Sequence, residues 1–555
     1  MEKVKFVCTF IIVVYSFLFA NEVDFKSSNL PIVIIDTGGE DILDEPKIMA
    51  NMKIIWNADG SRNYITDTCY NYNGWIGIEM RGASSQDRYP KKQYAVETRN
   101  KDKSNNNVNL LDLPKENDWI LHAPYSDKTF MRNFLAYELS RDMGWYASRC
   151  RYCELVKNGE YMGIYILMEK IKEDDDRVDI STLKEDEISG DDLTGGYIIK
   201  IDKFEGAQIG GWYSSFPADN GANIYYQYHD PDGEDLVQEQ KEYIQDKIYN
   251  FEAVMKSREY ANPQAGYSYF INVASFVDYF LLNELTHNID SYRLSTYLYK
   301  DKDSDDKKIY AGPVWDYNLG FGNADYYLGW TSEDWILDIY KNDGGFKRDH
   351  YQPPFWWSKL WNEPNLRAQA EDRWQQLRQN IFSKPVIFAR IDSIANLLDE
   401  AKDRNFQRWS NVLGHDIWPN PSGYAERTTY ESEVNYLKNW INDRIDWMDD
   451  NINDYPTKID NNSRINRPEK FILYENYPNP FNAHTIISYK IPAAAYVKID
   501  VLNIKGQLVD KLFEGQQNAG LHSIQFDGKG LNSGIYFYKV NINNESFTRK
   551  CLLIK

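Results

Sequence analysis

Cys150-Arg-Tyr-Cys153 has the spacing of a zinc-binding or redox-active cysteine pair. Zinc held this way wants a second pair or nearby histidines, and none is close in the sequence. Cys8 falls in an N-terminal apolar run expected to be removed, which leaves Cys69, Cys150, Cys153 and Cys551 in a chain bound for an oxidising compartment. A structural role is the better reading, with Cys69 bonded to Cys150 or Cys153. A second set is aromatic: Phe355-Trp-Trp-Ser-Lys-Leu-Trp361, Trp409 and Trp418 offer flat faces on which a sugar could stack. At helical spacing with interleaved Arg they read instead as packing. A third set is Arg81-Gly-Ala-Ser-Ser85, whose backbone N–H groups and two hydroxyls suit an anion. Lys91 and Lys92 follow. Adjacent strand residues point to opposite faces, so one of the two shares a face with Tyr94 and Val96, and that one is Lys92.

The elements that must position these residues change character along the chain. Leu30–Asp36 reads as a buried strand, and Trp75–Gly82 and Gln93–Glu97 alternate as strands. Asp127–Met143 carries Phe130, Phe134, Tyr137 and Leu139 at helical spacing, with Ser126 or Asp127 as N-cap. Cys153–Val156 and Tyr161–Met168 are strands joined by Asn158-Gly159, a hairpin signal, and Gly196–Asp202 is a further strand. From Glu234 the pattern turns helical, over Val237–Val254, Val273–Leu285 and the long region Phe355–Asp450. Between them, Ser295–Lys300 and Lys308–Val314 form a hairpin-like unit around the acidic loop Asp301–Asp306. Beyond a polar, Asn-rich linker come six short alternating runs at regular spacing: Thr485–Ile491, Tyr496–Leu502, Gln507–Leu512, Gly520–Phe526, Gly534–Val540 and Ser546–Ile554. That pattern is a small β-sandwich.

Composition narrows the function classes. The chain has 555 residues, too many for one core. Aromatic residues make up 15%, so most of it should fold. A formal net charge of -20 argues against a nucleic-acid partner and against docking on anionic lipid. Lys3 and Lys5, the apolar run Phe6–Phe19, and Ala20 read as a secretory signal, because the run is shorter than the roughly 20 residues of a spanning helix. No later segment is apolar enough to be a transmembrane anchor.

Taken in order, several motifs resemble the CotH family of atypical, kinase-like proteins. They are Trp75-Ile-Gly-Ile-Glu-Met-Arg-Gly-Ala-Ser-Ser-Gln86 with Pro90-Lys-Lys92, Ser126-Asp-Lys-Thr-Phe-Met-Arg-Asn133, and Gly159-Glu-Tyr-Met-Gly-Ile-Tyr165 with Glu169-Lys-Ile171. Asn288-Ile-Asp-Ser-Tyr-Arg293 and Pro313-Val-Trp-Asp-Tyr-Asn-Leu-Gly-Phe-Gly322 complete the set. The resemblance implies an α+β fold with a two-lobed atypical protein-kinase-like domain, using ATP with Mg2+ or Mn2+. Phosphoryl transfer needs cations on the phosphate oxygens and a carboxylate to orient the acceptor hydroxyl. The resemblance places the catalytic carboxylate at Asp290 and the metal-binding one at Asp316, with Asn318 and Asn288 as weaker ligands. Lys92, or its neighbour Lys91, would neutralise phosphates; Arg81, Ser84 and Ser85 would cover them; Glu138 or Glu169 would pair with the lysine. One departure stands out: where a kinase loop carries Asn five residues after its Asp, this chain has Ser295.

The C-terminal part resembles the type A sorting domain of the type IX secretion system. Tyr477-Pro-Asn-Pro-Phe-Asn482, Asp500-Val-Leu-Asn-Ile-Lys-Gly-Gln507, Ala519-Gly-Leu-His522 and Leu531-Asn-Ser-Gly-Ile-Tyr-Phe-Tyr538 carry that likeness. It implies an immunoglobulin-like sandwich that directs a protein across the outer membrane of a diderm bacterium. The expected organisation is a signal peptide (1–20), a kinase-like domain (21–455), a linker (456–468) and a sorting domain (469–555). The expected function is a secreted or surface kinase acting on Ser or Thr of extracellular or surface proteins, with the type IX machinery as a further partner. The alternative is a catalytically weak surface adhesion or coat-assembly protein of the same fold.

Overall fold

Alternating apolar residues in the N-terminal part close seven strands into a barrel. In order around it run Ile32–Asp36, Ile48–Ile55, Tyr72–Arg81, Gln93–Arg99, Asp118–His122, Glu160–Glu169 and Cys150–Lys157. The ring closes where Ile32–Asp36 pairs parallel with Cys150–Lys157; its other neighbours are antiparallel. Val33, Met52, Ile76, Val96, Leu121, Leu155 and Leu167 fill its interior. The Asn158-Gly159 turn has φ of 50° and 81°, the positive pair that a two-residue hairpin needs. A second sheet orders Gly211–Tyr213, Tyr225–Asp230, Tyr197–Ile201, Thr296–Lys300 and Tyr310–Ala311.

The computed structural model describes residues 23–203, 210–453 and 471–554, apart from 474–475, 477–478, 480, 482–483, 492–493, 518–519 and 543–544. The expected signal peptide and linker, and part of the Tyr477–Asn482 motif, lie outside the described residues. The chain divides into two compact units, Met1–Tyr455 and Pro456–Lys555.

The helical part of the first unit is organised around Val273–Thr286, which is apolar on nearly every side and buried from Ser275 onward. Trp356, Trp357 and Trp361, on Phe355–Trp361, are fully buried against it, with Phe280 5.2 Å from Trp357 and 5.1 Å from Trp361 by ring centroid. These tryptophans are packing, not a sugar platform. Trp418 differs: it is 37% exposed. Helices Gln238–Lys256, Pro364–Arg378, Lys384–Leu397, Asp399–Arg408 and Tyr430–Asn451 complete the region.

Two expectations need correction. The helix expected from Asp127 starts at Arg132, because Phe130 has φ of 63° and breaks the helical path. Asp127 still organises that start: its carboxylate accepts from Thr129 N at 3.1 Å and Arg132 N at 2.8 Å, and pairs with the Arg132 guanidinium at 2.5 Å. Among the described residues the cysteines form no disulfide: Cys69 is exposed and free, and Cys150, Cys153 and Cys551 are buried and free. Cys150 and Cys153 are three residues apart on one strand, so they face opposite sides. Cys153 packs into the barrel interior while Cys150 joins the helical core. Burial pushes both thiols up to about 12, which removes thiolate chemistry at either.

The second unit is all β. Ile472–Leu473, His484–Ile491 and Gly520–Asp527 form one sheet; Leu508–Gln517, Ala495–Asn503, Gly534–Ile542 and Glu545–Leu553 form the other. Alternate residues Val497, Ile499, Val501, Tyr538 and Val540 share one core with Ile487 and Phe526. These strands match the six alternating runs to within a few residues.

Candidate functional site

One cavity of about 360 Å3 in the first unit collects most of the chemistry-bearing residues. Each side chain reaches it for a local reason. Arg81 ends the strand Tyr72–Arg81, opposite Gln93 in register, and its guanidinium lies 5.3 Å from the Trp315 ring. Gly82 then turns with φ of 94°, a conformation glycine tolerates without strain, into the short helix Ser84–Arg88. Gln93 Nε2 donates to Ser85 Oγ at 2.9 Å, and Lys203 Nζ to Ser84 Oγ at 3.4 Å. Arg81, Ser84 and Ser85 thus line the cavity.

The acidic wall comes from two loops held by buried hydrogen bonds. Helix Val273–Thr286 ends at His287, in the left-handed region, and the chain turns through Asn288–Ser295. Asn283 Oδ1 accepts from Ser291 Oγ at 2.8 Å and from the Tyr317 hydroxyl at 2.6 Å, tying the two loops to one helix. Asp290 lines the cavity with its carboxylate 2.6 Å from Arg293, which also reaches Asp349 at 3.2 Å. Asp316 sits at φ of 59°. Its N–H donates to the Tyr137 hydroxyl at 3.2 Å, Tyr317 N donates to Asn133 Oδ1 at 2.6 Å, and its carbonyl accepts from Asn288 Nδ2 at 3.1 Å. Asn288 therefore braces the loop and does not line the cavity; Asn318 does line it. Burial, then repulsion from Asp290 and Asp202, pushes the Asp316 carboxyl up to about 7, against the pull of Arg81 and Lys203.

The lysines and glutamates expected here lie elsewhere. Lys92 Nζ donates to the carbonyls of Gln86 and Tyr89, the latter at 2.8 Å, and pins the Ser84–Arg88 turn from outside the cavity. Lys91 is buried and donates to Ile164 O at 2.5 Å and Asn405 Oδ1 at 2.9 Å; burial lowers its ammonium to about 7. Glu138 faces Arg141 and, at 3.8 Å, Arg390. Glu169 is fully buried and held by Arg149 at 2.8 Å and the Tyr146 hydroxyl at 3.2 Å. None of the four lines the cavity.

Residues that sequence reasoning passed over take those places. Lys200, Asp202 and Lys203 line the cavity at the end of strand Tyr197–Ile201. Ser295 Oγ lies 3.5 Å from Asp202 Oδ2, so a carboxylate stands beside the serine that replaces the expected Asn. The stretch Lys200-Ile-Asp-Lys203 was visible as a charged strand end, but its direction depends on the pairing of Lys200 with Tyr297. His122 is kept neutral, its pKa lowered to about 4 by burial and by Arg81, and its Nδ1 meets Gln93 Oε1 at 3.0 Å. At the mouth, Trp418 stacks on Tyr326 at 5.9 Å with the Arg88 guanidinium 3.9 Å from its ring.

Three cationic side chains (Arg81, Lys200, Lys203) and four carboxylates (Asp127, Asp202, Asp290, Asp316) thus share one cavity, with Asp127 already paired to Arg132. Such a set suits an anion that brings a hard cation with it. Among the described residues no three His, Cys, Asp or Glu side chains converge tightly enough to hold a metal unaided. Mg2+ needs only one or two carboxylates when phosphates and water complete its shell, so the donor set fits it.

A family model described as CotH kinase protein matches residues 78–448. A second, described as a secretion system C-terminal sorting domain, matches residues 475–555. No curated protein matches the chain. The sorting-domain match implies secretion, a cell-surface location and use of the type IX machinery. Among the described residues no helix is long and apolar enough to cross a membrane.

Proposed function

Because the chain belongs to the CotH kinase protein family, we propose that it is a secreted or surface-held phosphotransferase. It moves the γ-phosphoryl of ATP to Ser or Thr of extracellular or surface proteins. The observation that carries this reading is the single cavity with Arg81, Lys200 and Lys203 set against Asp202, Asp290 and Asp316. The barrel and the helical region both contribute to it, which supports a two-lobed, kinase-like arrangement. In this reading Arg81, Lys203 and the hydroxyls of Ser84 and Ser85 hold the phosphates, the role first expected of Lys92 or Lys91. Asp316, with Asn318 and Asp202, would hold Mg2+ or Mn2+, which supplies positive charge to the phosphate oxygens. Asp290 orients the acceptor hydroxyl and takes its proton as the oxygen bonds to the γ-phosphorus and the bond to the β-phosphate oxygen breaks. Arg293 fixes the Asp290 carboxylate for that task.

Export begins, in this reading, with a Sec signal at 1–20 and is completed by the sorting domain from 469, with 456–468 as linker, in a diderm bacterium. The second reading, a surface adhesion or coat-assembly protein with weak or no catalysis, draws support from Ser295 and from the absence of Lys91 and Lys92 from the cavity. Titration calorimetry separates the two. The full chain should bind ATP only when a divalent ion is present, and Lys203→Ala should weaken that binding while Lys91→Met leaves the affinity unchanged. No binding of ATP with either Mg2+ or Mn2+ would leave the adhesion reading.

A further inference from the structure

Four side chains on the wall of the phosphoryl-transfer cavity form one hydrogen-bonded row: Asn133, His122, Gln93 and Ser85. They come from four elements: the first turn of helix Arg132–Asp142, the end of strand Asp118–His122, the start of strand Gln93–Arg99, and the turn Ser84–Arg88. The row begins beside Asp316, where Tyr317 N lies 2.6 Å from Asn133 Oδ1. Asn133 Nδ2 then lies 3.4 Å from His122 Nε2, His122 Nδ1 lies 3.0 Å from Gln93 Oε1, and Gln93 Nε2 lies 2.9 Å from Ser85 Oγ.

The direction of every bond follows from the first. A backbone N–H can only donate, so the Asn133 atom facing Tyr317 is its oxygen and the atom facing His122 is its nitrogen. That nitrogen donates, so Nε2 of a neutral imidazole must accept and the ring proton sits on Nδ1. The ring is neutral: burial first, then Arg81 and Lys91 against the pull of Asp127, lowers its pKa to about 4. A proton on Nδ1 needs the oxygen of Gln93, which leaves the Gln93 nitrogen to donate to Ser85. Gly82 makes room for this last bond, since a Cβ there would lie 2.3 Å from both Gln93 Nε2 and Ser85 Oγ.

The consequence falls on Ser85. Its oxygen accepts from Gln93, and its own O–H meets no acceptor among the described residues, so the proton is left for whatever enters the cavity that Ser85 lines. We propose that the row is a one-way chain in which Asn133, His122 and Gln93 act as positioning residues, setting Ser85 as a hydrogen-bond donor to an anionic ligand and tying that setting to the Asp316 loop. Lys203 sets the neighbouring Ser84 in the same sense, with Nζ 3.4 Å from Ser84 Oγ. The inference rests on the phosphoryl-transfer reading for the identity of the anion, a nucleotide phosphate; the direction of the chain does not.

Two measurements on the full chain test it. Magic-angle-spinning NMR of sedimented protein labelled with 15N-histidine reads the tautomer without any nucleotide. One of the seven imidazoles, identified by its loss in His122→Gln, should carry its proton on Nδ1 at neutral pH, and a proton on Nε2 would overturn the chain. Asn133→Asp keeps an acceptor for Tyr317 N but turns a second one towards His122, so it should draw a proton onto Nε2; an unchanged spectrum from the folded variant would also overturn it. Calorimetry with Mg2+ and ATP then tests the link to Ser85. Gln93→Glu still accepts from His122 but takes the Ser85 proton instead of giving one, so affinity should fall about tenfold. A carboxylate also repels phosphate directly, whether or not Ser85 is present, so the loss should be about threefold smaller or less in a Ser85→Ala background. Equal losses in both backgrounds, with thermal melts showing folded proteins, would remove the role of Ser85. Wild type that binds no ATP with Mg2+ would sink the phosphoryl-transfer reading and the phosphate contact of Ser85 with it, while the tautomer still decides the chain.

Discussion

Removing the Asp316 charge should stabilise the metal-free protein, although it removes a group proposed to be essential. Its carboxyl rises from 3.8 to about 7 because it is buried beside Asp290 and Asp202. About three pKa units at 1.36 kcal/mol each amount to roughly 4 kcal/mol. The carboxyl is desolvated, but the residue as a whole is only half-buried, and solvent screening leaves about 1–2 kcal/mol. The folded-state pKa is raised, so the stability linked to this group is complete below 3.8 and is lost as pH rises through about 7. Asp316→Asn has no such titration. In buffer free of divalent ions the Asn variant should therefore exceed wild type by about 1–2 kcal/mol at pH 8, and the gap should shrink steadily towards pH 5. Urea unfolding followed by tryptophan fluorescence reads this cleanly, because all 16 Trp lie in the first unit. A wild type more stable than the variant at pH 8 without metal, or a gap that does not change with pH, would refute the reasoning.

Other consequences follow from other parts of the molecule. Truncation after Tyr455 should leave a folded first unit, shown by an unchanged near-UV spectrum, and abolish delivery outside the cell; normal delivery would contradict the sorting role. Native protein treated with iodoacetamide should be alkylated at Cys69 alone by mass spectrometry, since Cys150, Cys153 and Cys551 are buried with thiols raised to about 12, 12 and 11. Arg444→Met should cost about 3–5 kcal/mol in urea unfolding, because it strands the buried Glu284 carboxylate and removes donors to Ser332 O and Asp334 O.

The sequence exposed the elements whose signals are local. Asn158-Gly159 gave its hairpin, Val273–Leu285 its buried helix, and the C-terminal runs their strands, since period and turn chemistry are readable within a dozen residues. Ile48–Ile55 and Asp118–His122 escaped notice because their strand character rests on pairing across the barrel. The site divides the same way. Arg81, Asp290 and Asp316 lie within recognisable motifs, and the structure brings them onto one cavity. Lys92 was assigned a face from strand alternation, yet Gln93 is where the strand begins, so alternation did not govern the lysine. Lys200, Asp202 and Lys203 sit in no motif, and only the second sheet turns them inward.

The central claim is that one cavity divides its work between two aspartates. The direct measurement is transfer of labelled γ-phosphoryl from ATP, to the chain itself or a generic protein acceptor, alongside metal-dependent ATP affinity for wild type, Asp290→Asn and Asp316→Asn. An amide oxygen lacks the charge that holds a hard cation, so Asp316→Asn should lose metal-dependent affinity and transfer together. Asp290→Asn should keep wild-type affinity and lose at least a hundredfold in transfer, because orienting the hydroxyl matters in the transition state. Wild-type chain that binds ATP with Mg2+ but transfers nothing, or two variants that fail alike in binding while remaining folded, would contradict the account.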